Sequence, residues 1–563
     1  MRCLTVHGIA ATIKRTALKS LMVVVWAVGA LVSCSGGSSD ATDRNGGSGK
    51  KSTDVTGSSS MSTPPGLLGL TECVASGKGH DYQVGPNAGQ LASLNLVPWE
   101  SLGAGDTVRI LYRAEPYRSK FMISAQGTAD APVRICGIKG PKGERPIIDG
   151  SGATTRTALA NLYGSSQLLN QSTQSASDIH QSRSIIVIKQ LTTQAWQAYP
   201  SHIQIDGLNI RGAYPSHQFK DANGDTKTYD AFGACIWIDR GKDIVIANNE
   251  ISDCTNGLFS KSTDDGDFAI TKNLRIAGNY IHGNGVVGDE HQHNTYLQSQ
   301  GVVYEYNRYG PPRTGALGNA IKDRSAGTVI RFNRIEEGAH AIDLVEAEDF
   351  AVAAIANVAY RTTLVYGNQI IKSGDSGSFI HYGGDHYDSS PGANWGEPIF
   401  RKGTLYFFNN TVITTGSGAR LFQLSTTEEA AEVWNNIFVF GSGARTGYRN
   451  IRQTTEGLGK AWTPGGRVNL GRNWIDSRWR DSDPYHSIPG QLSGAANLLT
   501  GATTPIDLAT LIPLAGSAVI DAGVAGPLNS PAADLVNAQL DTSFFPATRS
   551  VNGTGIDLGA VEK

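Results

Sequence analysis

The chain is short of net charge. Its 563 residues carry 48 Lys and Arg against 50 Asp and Glu, a formal charge of −2. That balance gives no whole-protein reason to expect a nucleic acid as partner. Cysteine is scarce too: six residues, at Cys3, Cys34, Cys73, Cys136, Cys235 and Cys254, with no CxxC spacing. A zinc site built from them is not expected. Long apolar runs are also missing, since Leu21 to Val32 is too short for a good membrane span. Glycine is abundant, with 67 residues, and 40% of the chain is hydrophobic, enough for a large core.

Arg2, Lys14, Arg15 and Lys19 precede the apolar run, which ends in "LVSC". That order reads as an export signal over residues 1–34. The ending resembles a bacterial lipobox, which implies cleavage before Cys34 and acylation of that cysteine. An ordinary signal peptide with an incidental Cys34 is the alternative. Ser35 rather than Asp follows, and the resemblance then implies the outer membrane or cell surface rather than retention at the inner membrane. Residues 35–78 form a polar Gly/Ser-rich tether with little to bury. In an exported protein the last four cysteines allow two disulfides, Cys73–Cys136 and, as a second pair, Cys235–Cys254.

One pattern recurs from about residue 200: "IVIANNEI", "LRIAGNYI", "VVYEYNRY", "TVIRFNRI", "TLVYGNQI", "LYFFNNTV", "AEVWNNIF" and "VNLGRNWI". Its asparagines are Asn249, Asn279, Asn307, Asn333, Asn368, Asn410, Asn436 and Asn473, and "IQIDGLNI" carries Leu208 instead. The gaps run from 26 residues (Asn307 to Asn333) to 42 (Asn368 to Asn410). A fixed strand–Asn–strand core with unequal spacing means coils of one shape with loops of different length. Period-two alternation buries one face of each short strand. Each Asn suits a left-handed turn and can bond the same turn of the next coil. The fold expected is an all-β parallel β-helix. Its parts are an N-terminal cap and first coils over 79–200, central coils over 201–480, and a closing segment over 481–563. No separate catalytic domain is expected, and the protein is expected to be a monomer.

The strand before each unit aligns as well. With Ile236, Leu258, Thr295, Ile321, Ile342, Ile380 and Phe422 inward, the outward column reads Trp237, Phe259, Tyr296, Lys322, Asp343, His381, Gln423. Two residues on, the same face carries Asp239, Lys261, Gln298 and Arg324. Neighbouring coils lie about 4.8 Å apart, so Tyr296, Lys322, Arg324, Asp343 and His381 can border one patch. Trp237, Phe259 and Tyr296 suggest a sugar-stacking platform, with His293 and Gln298 beside it. A solvated solenoid face bearing Lys322–Asp343 as a simple ion pair is the plain alternative. Asp323 falls inward and needs a partner, Arg331 or a turn amide. An outward Lys322 should matter little for stability.

The segment from Asp81 to Leu111, a strand, a short helix around Val97–Leu102 and a strand, resembles the N-terminal cap of pectate-lyase-like proteins. "SAVIDAG" and "GIDLGAVE" resemble the closing sequence of bacterial right-handed β-helix proteins. The resemblance covers roughly residues 80–563 and implies a right-handed solenoid acting on polysaccharides. Within it, alginate lyases and chondroitinase B use a Lys base and an Arg on adjacent coils. Here Asp343, not Arg, stands one coil on from Lys322.

Elimination from a uronic acid needs a base for the proton α to the carboxylate, a cation for the enolate charge and an acid for the leaving oxygen. Lys322 serves as base if Arg324 depresses its pKa, although Asp343 opposes that. Arg324 clamps the substrate carboxylate, Tyr296 or His381 returns the proton, and His381 backed by Asp343 is an equal candidate base. Hydrolysis would draw on Asp343, Glu346, Glu348 and Asp349. His291 and His293 in "DEHQHN" would face one way on a strand, which admits a metal, although no residue is assigned to one and the need for calcium stays open. The insertion from His381 to Pro398 is long enough to wall a cleft. Three readings remain: a lyase of an anionic polysaccharide, a hydrolase or epimerase on the same scaffold, and a non-catalytic glycan-binding envelope lipoprotein.

Overall fold

The computed structural model describes residues 69–164, 178–373, 375–385, 397–425, 428–443, 449–453, 466–481, 492–528, 530–531 and 536–563. The export signal, Cys34, most of the tether and positions 386–396 of the expected cleft wall lie outside them.

Among the described residues three long sheets of 13, 13 and 11 strands run along the chain, and each central coil gives one strand to each sheet. One coil reads Ile321–Asp323, Ala326–Arg331 and Arg334–Glu336, and each strand pairs in parallel with its counterpart in the next coil. The chain is a right-handed parallel β-helix. Among the described residues, antiparallel strand pairing is limited to two small hairpins, Gln218–Lys220 with Thr226–Thr228 and Ala538–Leu540 with Pro546–Thr548, besides three isolated bridges such as Val287 with Ala316.

The asparagines stack as a ladder inside the turns. Asn333 accepts from the backbone N–H of Asn307 at 2.9 Å and donates to Asn368 Oδ1 at 3.0 Å and to Tyr304 O at 2.9 Å. The same bonds recur as far as Asn473, and at the other end Leu208 N–H donates to Asn249 Oδ1 at 3.0 Å. All eight side chains are buried. Each net bond is worth about 1 kcal/mol, and a vacancy would strand buried donors at greater cost. The left-handed position is one residue earlier than the repeat suggests: Asn248, Tyr306, Phe332, Asn409 and Asn435 have φ between 49° and 57°. The Asn itself keeps an ordinary φ and contributes its amide.

Seven strands of one sheet carry the candidate site: β1 (Ala234–Ile238), β2 (Asn256–Ser260), β3 (Thr295–Leu297), β4 (Ile321–Asp323), β5 (Ile342–Leu344), β6 (Ile380–Tyr382) and β7 (Ala419–Leu424). The inward column Ile236, Leu258, Thr295, Ile321, Ile342, Ile380, Phe422 is aligned and buried. Each aliphatic member contributes about 2 kcal/mol of hydrophobic stabilisation.

Both expected disulfides are formed, with Cα–Cα distances of 5.7 Å for Cys73–Cys136 and 5.5 Å for Cys235–Cys254. Around Val97–Leu102 the chain makes two short 3-10 turns, Leu94–Leu96 and Trp99–Ser101, rather than one helix. Trp99 packs on Phe121 with ring centroids 3.8 Å apart. Near the C-terminus the two closing sequences meet, Leu558 N–H donating to Val519 O at 3.0 Å.

Candidate active site on one sheet face

The outward column is in direct register. Trp237 faces Phe259, then Tyr296, Lys322, Asp343, His381 and Gln423 follow one per coil. The 38 residues between Asp343 and His381 do not disturb it, because the flanking strands still alternate. Facing away from the solenoid axis does not, however, mean facing water. Tyr296, Lys322, Asp343 and His381 are all buried, covered by segments that leave the sheet.

Lys322 Nζ donates to Asp343 Oδ2 at 3.1 Å and to Asp385 Oδ2, which reaches in from the loop after β6. Burial disfavours the lysine charge, but Asp343 and Asp385 outweigh both burial and Arg324 and push its pKa up to about 12. The condition for a lysine base is therefore not met: Lys322 is held as an ammonium. Burial likewise opposes the Asp343 charge, yet Lys322 and His381 hold its carboxyl well below the usual range. Nor is Lys322 indifferent to stability, since its removal would leave buried carboxylates without their counter-ion.

Arg324 is buried among acceptors. Its Nε donates to Tyr296 Oη at 2.9 Å, Nη1 to Glu346 O at 2.8 Å, and Nη2 to Asp385 Oδ1 at 3.1 Å. Glu346 and Glu348 lie 3.3 and 3.6 Å from the guanidinium. Tyr296 Oη in turn donates to Glu348 Oε1 at 3.2 Å. Burial raises the phenol well above its ordinary pKa, with Arg324 opposing. Gln298 donates to Asp349 Oδ2 at 2.7 Å, and burial together with Glu348 raises the Asp349 carboxyl.

Both ring nitrogens of His381 are engaged, Nδ1 with Asp343 Oδ1 at 2.8 Å and Nε2 with Ser425 Oγ at 3.2 Å. Neither can take a proton from a sugar without leaving its partner. Ser425, His381 and Asp343 line up as a nucleophile, base and orienting acid would. Yet the buried Ser425 hydroxyl also donates to Gly384 O at 2.8 Å and accepts from Gly384 N–H at 3.0 Å. It clamps the backbone there.

His340, Asp343 and His381 bring ligand-type atoms within 4.8 Å of one another. Their chemistry does not suit a metal. Both Asp343 oxygens are taken, Oδ1 by His381 and Oδ2 by Asn319 Nδ2 at 2.8 Å and by Lys322. His340 Nδ1 accepts from Ser378 N–H at 3.0 Å. A metal would also have to share Asp343 with an ammonium. The carboxylates that calcium would need, Glu346, Glu348 and Asp385, are turned onto Arg324. The His-x-His idea fails on geometry: residues 291–293 are not a strand, the His291 side chain is 60% exposed against Asp289, and His293 is buried. His293 Nδ1 accepts from Asn319 N–H at 2.9 Å, and burial, then Lys322, pushes its pKa well down.

The sugar-stacking platform also needs correcting. Trp237 and Phe259 are 1% and 4% exposed, stacked on each other at 4.0 Å and covered edge-on by Phe232. They form a packed aromatic core at one end of the site. Asp323 is inward as expected and accepts from the turn amide of Ser325 at 3.2 Å, one of its two expected partners; its ion-pair partner is Arg401 at 2.8 Å, with Tyr304 and Thr328 hydroxyls also bonded, while Arg331 pairs with Glu305 instead. Residues missed from sequence are Asp385, Asn319, His340, Arg401 and Ser425. Asp385 and Arg401 fall in or just after the long insertion, whose length was a signal but whose path was not.

No protein-family model matches this chain, and no curated protein matches it. Among solved structures it is similar to pectate lyase Pel9A, at 11% identity and a TM-score of 0.40, over 86% of this chain and 96% of that one. It is similar to the PL6 family alginate lyase AlyGC at 11% identity and a TM-score of 0.38, over 78% and 56%. A third is the DFA-IIIase from Arthrobacter chlorophenolicus A6 without its lid, at 11% identity and 0.33, over 71% and 88%. Likeness at this level concerns fold and says nothing of chemistry.

Proposed function

We propose that this face binds an anionic polysaccharide and cleaves it by β-elimination. The observation that carries the reading is the bond from Arg324 Nε to Tyr296 Oη, with Lys322 in register beside Tyr296. A phenol is thus held next to two fixed cations. Lys322 and Arg324 are the positive pair that grips the substrate carboxylate and takes up the enolate charge. Tyr296 accepts the α-proton on Oη as its own proton passes to Glu348 Oε1, so no phenolate has to exist in this buried setting. The Lys322 ammonium protonates the leaving oxygen. Asp343, held by His381 and Asn319, positions Lys322. As part of the same proposal the protein is exported, anchored by lipid at Cys34, and works as a monomer.

Incubation with a panel of anionic polysaccharides separates the readings. An unsaturated, ultraviolet-absorbing product supports elimination. New reducing ends without that absorbance mean hydrolysis, and binding without turnover means a glycan-binding protein.

A further inference from the structure

Asp385 differs from the other carboxylates of the cluster. It comes from a loop and not from the sheet face, and its side chain is 26% exposed, against 3% for Asp343, 0% for Glu346 and 14% for Glu348. It bridges both cations, accepting from Lys322 Nζ and from Arg324 Nη2, whose distances to its oxygens are 3.1 and 3.4 Å. This is the geometry a sugar carboxylate would need on the same pair. The two preceding glycines bring it there. Gly383 has φ 134°, and a Cβ on Gly384 would lie 2.0 Å from the Phe400 ring.

The charges point the same way. Among the described residues, Lys322 and Arg324 lie within 4 Å of four carboxylates, Asp343, Asp385, Glu346 and Glu348. A further carboxylate brought to Lys322 and Arg324 with Asp385 in place would lie against like charge in a poorly solvated setting. Exchange of one carboxylate for another leaves the sum unchanged. We infer that Asp385 is a resident stand-in for the substrate carboxylate: an acidic sugar enters by displacing it, and a neutral sugar, which would leave Lys322 and Arg324 without that counter-ion, does not. Asp385 is thereby the residue that sets specificity for uronic acids. The inference rests on the uronate reading above, but it concerns binding alone.

The test is calorimetric titration of the full-length protein with D-glucuronate, and with D-glucose as the neutral control. Asp385→Ala and Asp385→Asn should each bind glucuronate at least about tenfold more tightly than the wild type. Glucose binding should not change, and adding Lys322→Met should abolish the gain. If Asp385→Ala does not fold, the near-isosteric Asp385→Asn answers alone. Unchanged or weaker glucuronate binding in the folded variants overturns the inference, as does an equal gain for glucose. Tighter glucuronate binding with no elimination by any variant would keep the inference and end the lyase reading. Elimination by the wild type with no tightening in the variants would do the reverse.

Discussion

Arg401 and Asp323 form an ion pair at 2.8 Å in which the side chains are 1% and 0% exposed. The guanidinium also bonds Asp323 O at 2.8 Å and Thr328 Oγ1 at 3.1 Å, while Tyr304 Oη donates to the carboxylate at 2.9 Å. The pair ties the segment after the long insertion to the strand that carries Lys322 and leads into Arg324. Arg401→Met should destabilise the fold by about 3–5 kcal/mol, because a buried charge is left without its partner. Denaturant unfolding measures it, and a change below ~1 kcal/mol would contradict the pairing.

Lys322 and Tyr296 are told apart by conservative substitution. Lys322→Arg keeps the charge but not a transferable proton, so it should keep most of the affinity for the acidic polymer and lose turnover, whereas Lys322→Met should lose both, turnover by roughly a hundredfold or more. Tyr296→Phe should lower turnover by about two orders of magnitude or more, with affinity for the acidic polymer little changed.

The pH dependence of stability should carry the signature of His340. Burial pushes its pKa down from the usual 6.5 to about 3. The unfolded chain therefore binds a proton between those values that the folded protein refuses. This contribution is complete above pH 6.5, declines as the pH falls, and is gone near pH 3. It amounts to a few kcal/mol at most, at about 1.4 kcal/mol for each tenfold loss of proton affinity. His340→Gln should flatten the curve of unfolding free energy over that window. A curve of the same slope in wild type and variant would show that the imidazole is not held neutral. Lys322 acts at the other extreme: its ammonium is favoured in the fold, so its share is intact below pH 10.5 and fades as the pH rises through about 12.

Cys34 lies outside the described residues, and its lipidation rests on the order of charges, apolar run and "LVSC". Cys34→Ala should move the protein from the membrane fraction to the soluble exported fraction. Unchanged sedimentation with membranes would remove the anchor from the proposal.

By itself the sequence determined the solenoid and the order of residues along its faces. Alternation and the Asn repeat are local: a strand of period two has one register that buries its apolar face, so Tyr296, Lys322, Asp343 and His381 align across loops of any length. The Asn ladder was legible for the same reason, although the left-handed residue proved to be its predecessor. Only the tertiary structure decided what covers that column. Asp385 and Arg401 arrive from segments with no periodicity, placed by contacts such as Gly384 under Phe400 and Arg401 on Asp323. Those contacts turn an outward face into a buried one and bring in Asp385, a carboxylate that reverses the chemistry. Arg324 alone would have made Lys322 a base; with Asp343 and Asp385 both against it, the lysine keeps its proton.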